Sequence, residues 1–151
     1  MAKRLTGTNH VNLTVSDLER STEWYCRIFG FTVVSDQENT GPPYFSDDLY
    51  RGLFDLTTFS YGVGLIQHPD GIEGFDHRRA GLDHFGLQVP EIDDLHDWVA
   101  HLDALGVPHS GVVHALYADV VNFRDPDGIA LELSVANEEF WTQLVTKKLT
   151  T

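Results

Sequence analysis

The sequence predicts an α+β fold built from two tandem β-α-β-β-β modules, and three observations carry that reading. The stretch Thr8-Asn9-His10-Val11-Asn12-Leu13-Thr14-Val15 returns 74 positions later as Leu82-Asp83-His84-Phe85-Gly86-Leu87-Gln88-Val89, placing His10 on His84, Leu13 on Leu87 and Val15 on Val89. The same offset carries Trp24 onto Trp98, and a shift of 76 carries Gly30 onto Gly106, so a repeat rather than chance explains the match. In each copy a strand-like alternation leads through an acidic start and a helical apolar stripe to a glycine stop.

The 151 residues suit a single domain over 1–151, with repeats at about 8–71 and 82–135 and a C-terminal helix at about 137–149. Each repeat, at roughly 70 residues or fewer, is too small to bury a good core alone. The halves are therefore expected to pack on each other, either within one chain or by exchange between chains.

In the first repeat, residues 8 to 15 alternate, with His10, Asn12 and Thr14 on one face and Val11, Leu13 and Val15 on the other. Ser16 and Glu19 form a capping box. Leu18, Ser21, Trp24, Tyr25 and Ile28 then recur at helical spacing until Gly30. Phe31 to Ser35 reads as a strand. Asp36 to Leu49 contains Gly41-Pro42-Pro43, which cannot hold a ladder, and is expected to be a mobile loop that closes over the groove. Strands near 52–59 and 62–68 complete the module, and Pro69-Asp70-Gly71 turns the chain.

The charged segment Ile72 to Gly81 joins the halves. The second copy predicts a strand at 82–89 and a helix whose stripe is Leu95, Trp98, Val99, Leu102 and Leu105, stopped by Gly106. Strands follow near 107–114, 117–123 and 129–135, the last two joined by the tight turn Asp125-Pro126-Asp127-Gly128. From Glu138 to Leu149, Phe140, Trp141, Leu144 and Val145 fall on one side, predicting a helix that docks on the body or on a second subunit. A homodimer is the expected assembly.

Composition removes several classes of function. Ten basic against 23 acidic side chains leave a formal charge of −13, which repels nucleic acid and anionic membrane surfaces and steers cations inward. No apolar run is long enough to span a bilayer. The N-terminus lacks a secretory apolar region and the only cysteine, Cys26, has no disulfide partner, so a cytoplasmic location is expected. Cys26 lies inside the first helix with no base placed to activate it, and reads as a small buried residue.

Chemistry concentrates on His10, His84 and Glu132. The two histidines hold matched places, so pseudo-two-fold packing would turn them toward one central groove. Glu132, between Leu131 and Leu133 on a strand expected to be buried on one face, is a carboxylate that needs a partner. A lone strand histidine is usually only a core or edge residue; its repetition together with Glu132 points to a metal. Aligning the last strands of the two repeats sets Ile66 opposite Glu132, or Gly64 if the match slips by two residues. Neither ligates, so two histidines and one carboxylate remain, with open positions for water or substrate. That donor set is the mark of a catalytic site for a divalent ion such as Fe, Mn, Zn, Ni or Co. His68 is an outside candidate for a fourth ligand. His114, Tyr117 and Asp119 are expected to border the groove, His114 and Tyr117 as acid or base. His96, His101 and His109 are expected to be solvated.

Asn9-His10-Val11, Ile28-Phe29-Gly30-Phe31, Gly81-Leu82-Asp83-His84 and Asp125-Pro126-Asp127-Gly128-Ile129-Ala130-Leu131-Glu132 resemble the vicinal oxygen chelate superfamily. That group includes glyoxalase I, fosfomycin-resistance thiol transferases, methylmalonyl-CoA epimerase, extradiol dioxygenases and metal-free bleomycin-resistance proteins. The resemblance runs from about Thr8 to Val135. It implies a glyoxalase-like cupped mixed sheet around a central groove, with His10, His84 and Glu132 as metal ligands and Glu132 at the reacting centre. The ion would chelate vicinal oxygens of a small-molecule substrate, for isomerase, lyase, thiol transferase or dioxygenase chemistry. Glyoxalase I and the epimerase carry a polar ligand where this chain has Gly64 or Ile66, which favours the three-ligand branches. No basic cluster suited to a phosphonate is present. The alternative is a metal-free protein of the bleomycin-resistance type that sequesters a cationic small molecule; acidity and aromatic content suit it, whereas the intact His10, His84 and Glu132 suit the enzyme.

Overall fold

A computed structural model describes residues 8, 10–38, 49–55, 62–71 and 73–149. The chain divides into two compact units, Met1–Gly74 and Phe75–Thr151. Both are α+β and share one topology. In the first, β1 (His10–Thr14), α1 (Leu18–Phe29), β2 (Thr32–Glu38), β3 (Leu49–Phe54) and β4 (Gly62–Gln67) form a sheet of order β1-β4-β3-β2. In the second, β5 (Phe85–Gln88), α2 (Ile92–Ala104), β6 (His109–His114), β7 (Ala118–Arg124) and β8 (Ala130–Ala136) give the order β5-β8-β7-β6, followed by α3 (Glu138–Leu149). In each sheet the first strand runs parallel to the fourth and the other pairs are antiparallel.

Each sheet has one face closed by its helix. Leu13, Val15, Leu53, Val63 and Leu65 are buried with Leu18, Tyr25 and Ile28 of α1, which packs on β2, β3 and β4. Leu131, Leu133, Val121 and Phe123 are buried with Leu95 and Leu102 of α2. The burial of these apolar side chains is the main force holding each layer together. It leaves His10, Asn12 and Thr14 exposed on the other face of β1. No helix among the described residues is long and apolar enough to cross a membrane.

Several local expectations change. Asp17, not Ser16, caps α1, accepting from the Arg20 amide at 3.0 Å, and Ser16 Oγ accepts from the Arg20 guanidinium. Glu19 is thereby free of the cap and pairs with the buried Arg51 of β3. A further orphan donor at the helix start, the Leu18 amide, is taken by Gln67 Oε1 at 2.7 Å, which ties the end of β4 to α1. Thr22 is buried where Trp24 was expected; its hydroxyl donates to the Leu18 carbonyl, so the polar atom is satisfied. Trp24 is half-buried and meets Tyr25 edge-on.

The ladder also runs further than the sequence suggests. Asp36, Gln37 and Glu38 pair with Arg51, Tyr50 and Leu49, so these residues are strand rather than loop; the Gly41-Pro42-Pro43 segment lies outside the described residues. In the second unit the strand begins at Phe85 rather than 82. Asp125, which is buried, accepts from the amides of Asp127 and Ile129 and fixes the turn into β8, with Gly128 at φ +83°.

Candidate metal-binding site

Strand register determines which side chains share the open face of each unit. In the second unit, Gly86 of β5 lies opposite Glu132 of β8, and His84 stands two residues before Gly86. Two residues of strand span roughly 7 Å and neighbouring strands lie about 4.8 Å apart, so His84 stands diagonally across the ladder from Glu132, with the point above Gly86 between them. Gly86 keeps that point open: a Cβ built on it would find only Glu132 Oε1, at 3.8 Å.

Glu132 is half-buried between Leu131 and Leu133 and has no hydrogen-bond or ion-pair partner among the described residues. The one guanidinium on the same face of β7, Arg124, donates to the Gly128 carbonyl at 2.6 Å instead. A half-buried carboxylate without a cation is costly, and a bound cation offsets the cost. Imidazole and carboxylate are donors of the kind that a divalent ion takes.

His84 has a hydrogen-bond partner of its own. Its Nδ1 lies 2.7 Å from Asp83 Oδ1. A carboxylate only accepts, so in the neutral ring the proton sits on Nδ1 and Nε2 carries the lone pair. The same hydrogen bond holds the Asp83 carboxyl below the usual carboxylate range. Asp83 was not singled out from the sequence, although the residue before the matched histidine is also of this shape, Asn9.

The first unit repeats the arrangement with one exchange. His10 pairs with Gly62 and Asn12 with Gly64, so Gly64 stands to His10 as Glu132 stands to His84. The register thus selects Gly64, not Ile66, as the counterpart of Glu132. A Cβ on Gly64 would fall well inside contact of Asn12 Oδ1 and 2.9 Å from Tyr50 Cε2. A side chain here would have to displace the Asn12 carboxamide and the Tyr50 ring, which already occupy the space over the glycine. Each repeat lays one polar side chain over a glycine, Asn12 over Gly64 in the first and Glu132 beside Gly86 in the second. Asn12 and Tyr50 were also missed in the sequence, since only the ladder shows what crosses a glycine.

These contacts give opposite expectations for two equivalent substitutions. Gly64→Ala should cost about 1 to 3 kcal/mol, because Asn12 and Tyr50 must move. Gly86→Ala should be neutral or stabilise by up to about 1 kcal/mol, since alanine is favoured over glycine where space exists. Urea unfolding midpoints of the two variants measure the difference; equal effects would show that the glycines are not distinguished by their neighbours.

Other expected site residues stand elsewhere. His68 lies six residues beyond Gly62, the ladder partner of His10, which is roughly 20 Å along the strand; it cannot share an ion with the His10 of its own chain. His114 pairs with Asp119, and Asp119 with Val135, one register step off the face that carries Glu132. Its Nδ1 is 2.6 Å from Asp119 Oδ1 in an exposed pair at the hairpin end. Tyr117 precedes Ala118, whose partner Ala136 is four residues from Glu132, roughly 13 Å along β8. The second unit therefore does not bring His114 or Tyr117 to Glu132, and neither is retained as an acid or base. His109 is not solvated as expected: its side chain is 11% exposed, with Nδ1 accepting from the Gly111 amide and Nε2 facing Asp103. His96 and His101 are exposed. Cys26 is half-buried, and burial raises its thiol above the ordinary range, which removes it further from nucleophilic use.

A cleft of about 680 Å³ opens on the second unit, lined among others by Ser110, Asn122, Arg124 and Ala130. Its lining includes Asn122, the ladder partner of Glu132, and Leu131, its chain neighbour, but not Glu132 itself. Its size suits a small molecule. Among the described residues, no group of three or more His, Cys, Asp or Glu side chains is gathered closely enough to hold an ion.

Comparison with known proteins adds to this geometry. Residues 7–133 match the family model of the Glyoxalase/Bleomycin resistance protein/Dioxygenase superfamily. A putative ring-cleaving dioxygenase of Bacillus subtilis (strain 168) is 25% identical over 90% of this chain and 42% of its own length. The catechol-2,3-dioxygenase of the same organism is 26% identical over 85% of this chain and 41% of its own. The chain thus spans less than half the length of these curated relatives. A glyoxylase/bleomycin resistance protein/dioxygenase domain from Frankia sp. EAN1pec superposes with a TM-score of 0.77 at 27% identity, covering 89% of this chain and 100% of that one. A fosfomycin resistance protein from Listeria monocytogenes, solved with Mn(II) and a dihydroxypropylphosphonic acid, shares the fold with a TM-score of 0.65 at 19% identity, over 90% of this chain and 98% of that one.

Proposed function

Because the chain belongs to the Glyoxalase/Bleomycin resistance protein/Dioxygenase superfamily, we propose that it is a metal-dependent enzyme acting on neighbouring oxygens of a small molecule, with ring-cleaving dioxygenase chemistry as the favoured reaction. One observation carries the choice: the counterpart of Glu132 is Gly64, already covered by Asn12 and Tyr50. The proposed ligands are therefore two histidines and one carboxylate, His10, His84 and Glu132, drawn from both repeats. Such a triad with open positions is typical of non-haem iron oxygenases. The ring-cleaving relatives support the same direction.

A divalent ion held there supplies Lewis acidity and open positions for two vicinal oxygens. The chain's own residues do the rest. Asp83 orients His84 and, in the neutral ring, places the proton on Nδ1 so that Nε2 is the nitrogen able to ligate. Glu132 contributes the one negative charge of the set, while Asn12 and Tyr50 offer a carboxamide and a phenol on the open face of the first unit, suited to hydrogen-bond a substrate hydroxyl.

The test is oxygen uptake by Fe(II)-reconstituted protein with a catechol, followed beside loss of the hemithioacetal of methylglyoxal and glutathione. Oxygen consumed one for one with the catechol supports the reading; turnover of the hemithioacetal alone overturns the dioxygenase assignment. The formal charge of −13 favours one second reading, sequestration of a cationic small molecule. That reading requires tight binding of a cationic drug to metal-free protein and no turnover in either assay.

Asp83→Ala should weaken divalent-metal affinity about 10- to 100-fold, the usual effect of removing the group that orients a ligand histidine. Calorimetric titration with Mn(II) or Zn(II) measures it. Unchanged affinity would reduce the Asp83–His84 contact to a surface pair.

A further inference from the structure

We infer that α3 is a self-docking surface, and that two copies of this chain associate through an antiparallel α3–α3 contact. At its first turn the helix is tied to its own unit by hydrogen bonds. Asn137 Oδ1 accepts from the Phe140 amide, the Asn137 amide donates to the Tyr117 carbonyl at 2.9 Å, and Trp141 Nε1 donates to the same carbonyl at 3.0 Å. Every side chain from Trp141 to Lys148 is exposed. Trp141 is 44% exposed, Leu144 39% and Val145 54%, and Leu116 beside Tyr117 is 73% exposed. A 12-residue helix is marginal in water on its own and is normally held by packing of an apolar face.

Charge identifies what covers that face. Glu138, Trp141, Val145 and Lys148 lie at steps of three, four and three along one stripe. The stripe runs from acid through apolar to base, a distance of roughly 15 Å. Two of the three lysines in an otherwise acidic chain are Lys147 and Lys148 at its end. A second copy laid antiparallel sets Glu138 of one chain against Lys148 of the other, twice, and Trp141 against Val145, twice. A parallel arrangement would juxtapose like charges. The stripe is thus complementary to itself under a two-fold axis, the requirement of an isologous dimer.

Light scattering of the full chain across nanomolar to 100 micromolar concentration tests this. A dimer is expected, and Val145→Asp, a change at an exposed position, should make it monomeric while circular dichroism is unchanged. Glu138→Lys or Lys148→Glu alone should raise the dimer Kd about tenfold, since each spoils two symmetric contacts. The double variant Glu138→Lys with Lys148→Glu should restore it. A monomer at all concentrations, as when another protein or a further segment covers the face, overturns the inference. So does a dimer indifferent to Val145→Asp or not rescued by the charge exchange.

Discussion

Glu132→Ala is expected to lower divalent-metal affinity by at least about a hundredfold, because loss of a ligand exceeds the 10- to 100-fold cost of losing a group behind one. The same change should leave the metal-free protein as stable as before or slightly more stable. Glu132 is half-buried without a partner among the described residues, so removing the carboxylate ends a desolvation cost and breaks no hydrogen bond. Mn(II) titration together with thermal unfolding in chelator measures both. A structural carboxylate would behave in the reverse way, with a lowered Tm and unchanged metal binding.

Leu65→Ala should show the opposite phenotype. Leu65 is fully buried on the helix-covered face of β4, pairs with Arg51 and Leu13 across the ladder, and lies in the layer under α1. Truncation of such a side chain costs about 2 to 5 kcal/mol, combining lost transfer energy with a cavity. Its neighbour Gly64 belongs to the open face, so metal affinity of the folded fraction should be retained. Urea unfolding gives the stability change; a loss under about 1 kcal/mol would mean that α1 does not depend on this layer.

The fold was legible because it is written twice. The His10 and His84 strands, the stripes of α1 and α2 and the Asp125-Pro126-Asp127-Gly128 turn each carry a local signal, and all appear with small shifts of boundary. What could not be read depends on cross-strand register. Sequence alignment set Ile66 opposite Glu132 and reached Gly64 only by a two-residue slip, whereas the parallel pairing of Asn12 with Gly64 selects the glycine. His114 and Tyr117 looked close to Glu132 because the hairpin was located without its register. Asp83 and Asn12 were passed over because an acid or amide next to a strand histidine has no periodic signature; its meaning is a 2.7 Å contact in one case and a covered glycine in the other. His109 was placed in solvent since its burial comes from Asp103 and the Gly111 bulge, which no pattern of hydrophobicity announces.

The most direct measurement of the proposed site is metal content of His10→Ala beside the unaltered chain, both purified without chelator. His84 and Glu132 share one unit through register alone, whereas His10 belongs to the other. A single site made by both repeats predicts about one equivalent of divalent metal per chain in the unaltered protein and almost none in His10→Ala, with circular dichroism unchanged. Metal retained by His10→Ala, or absent from the unaltered chain even after titration with Fe(II), Mn(II) and Zn(II), would contradict it.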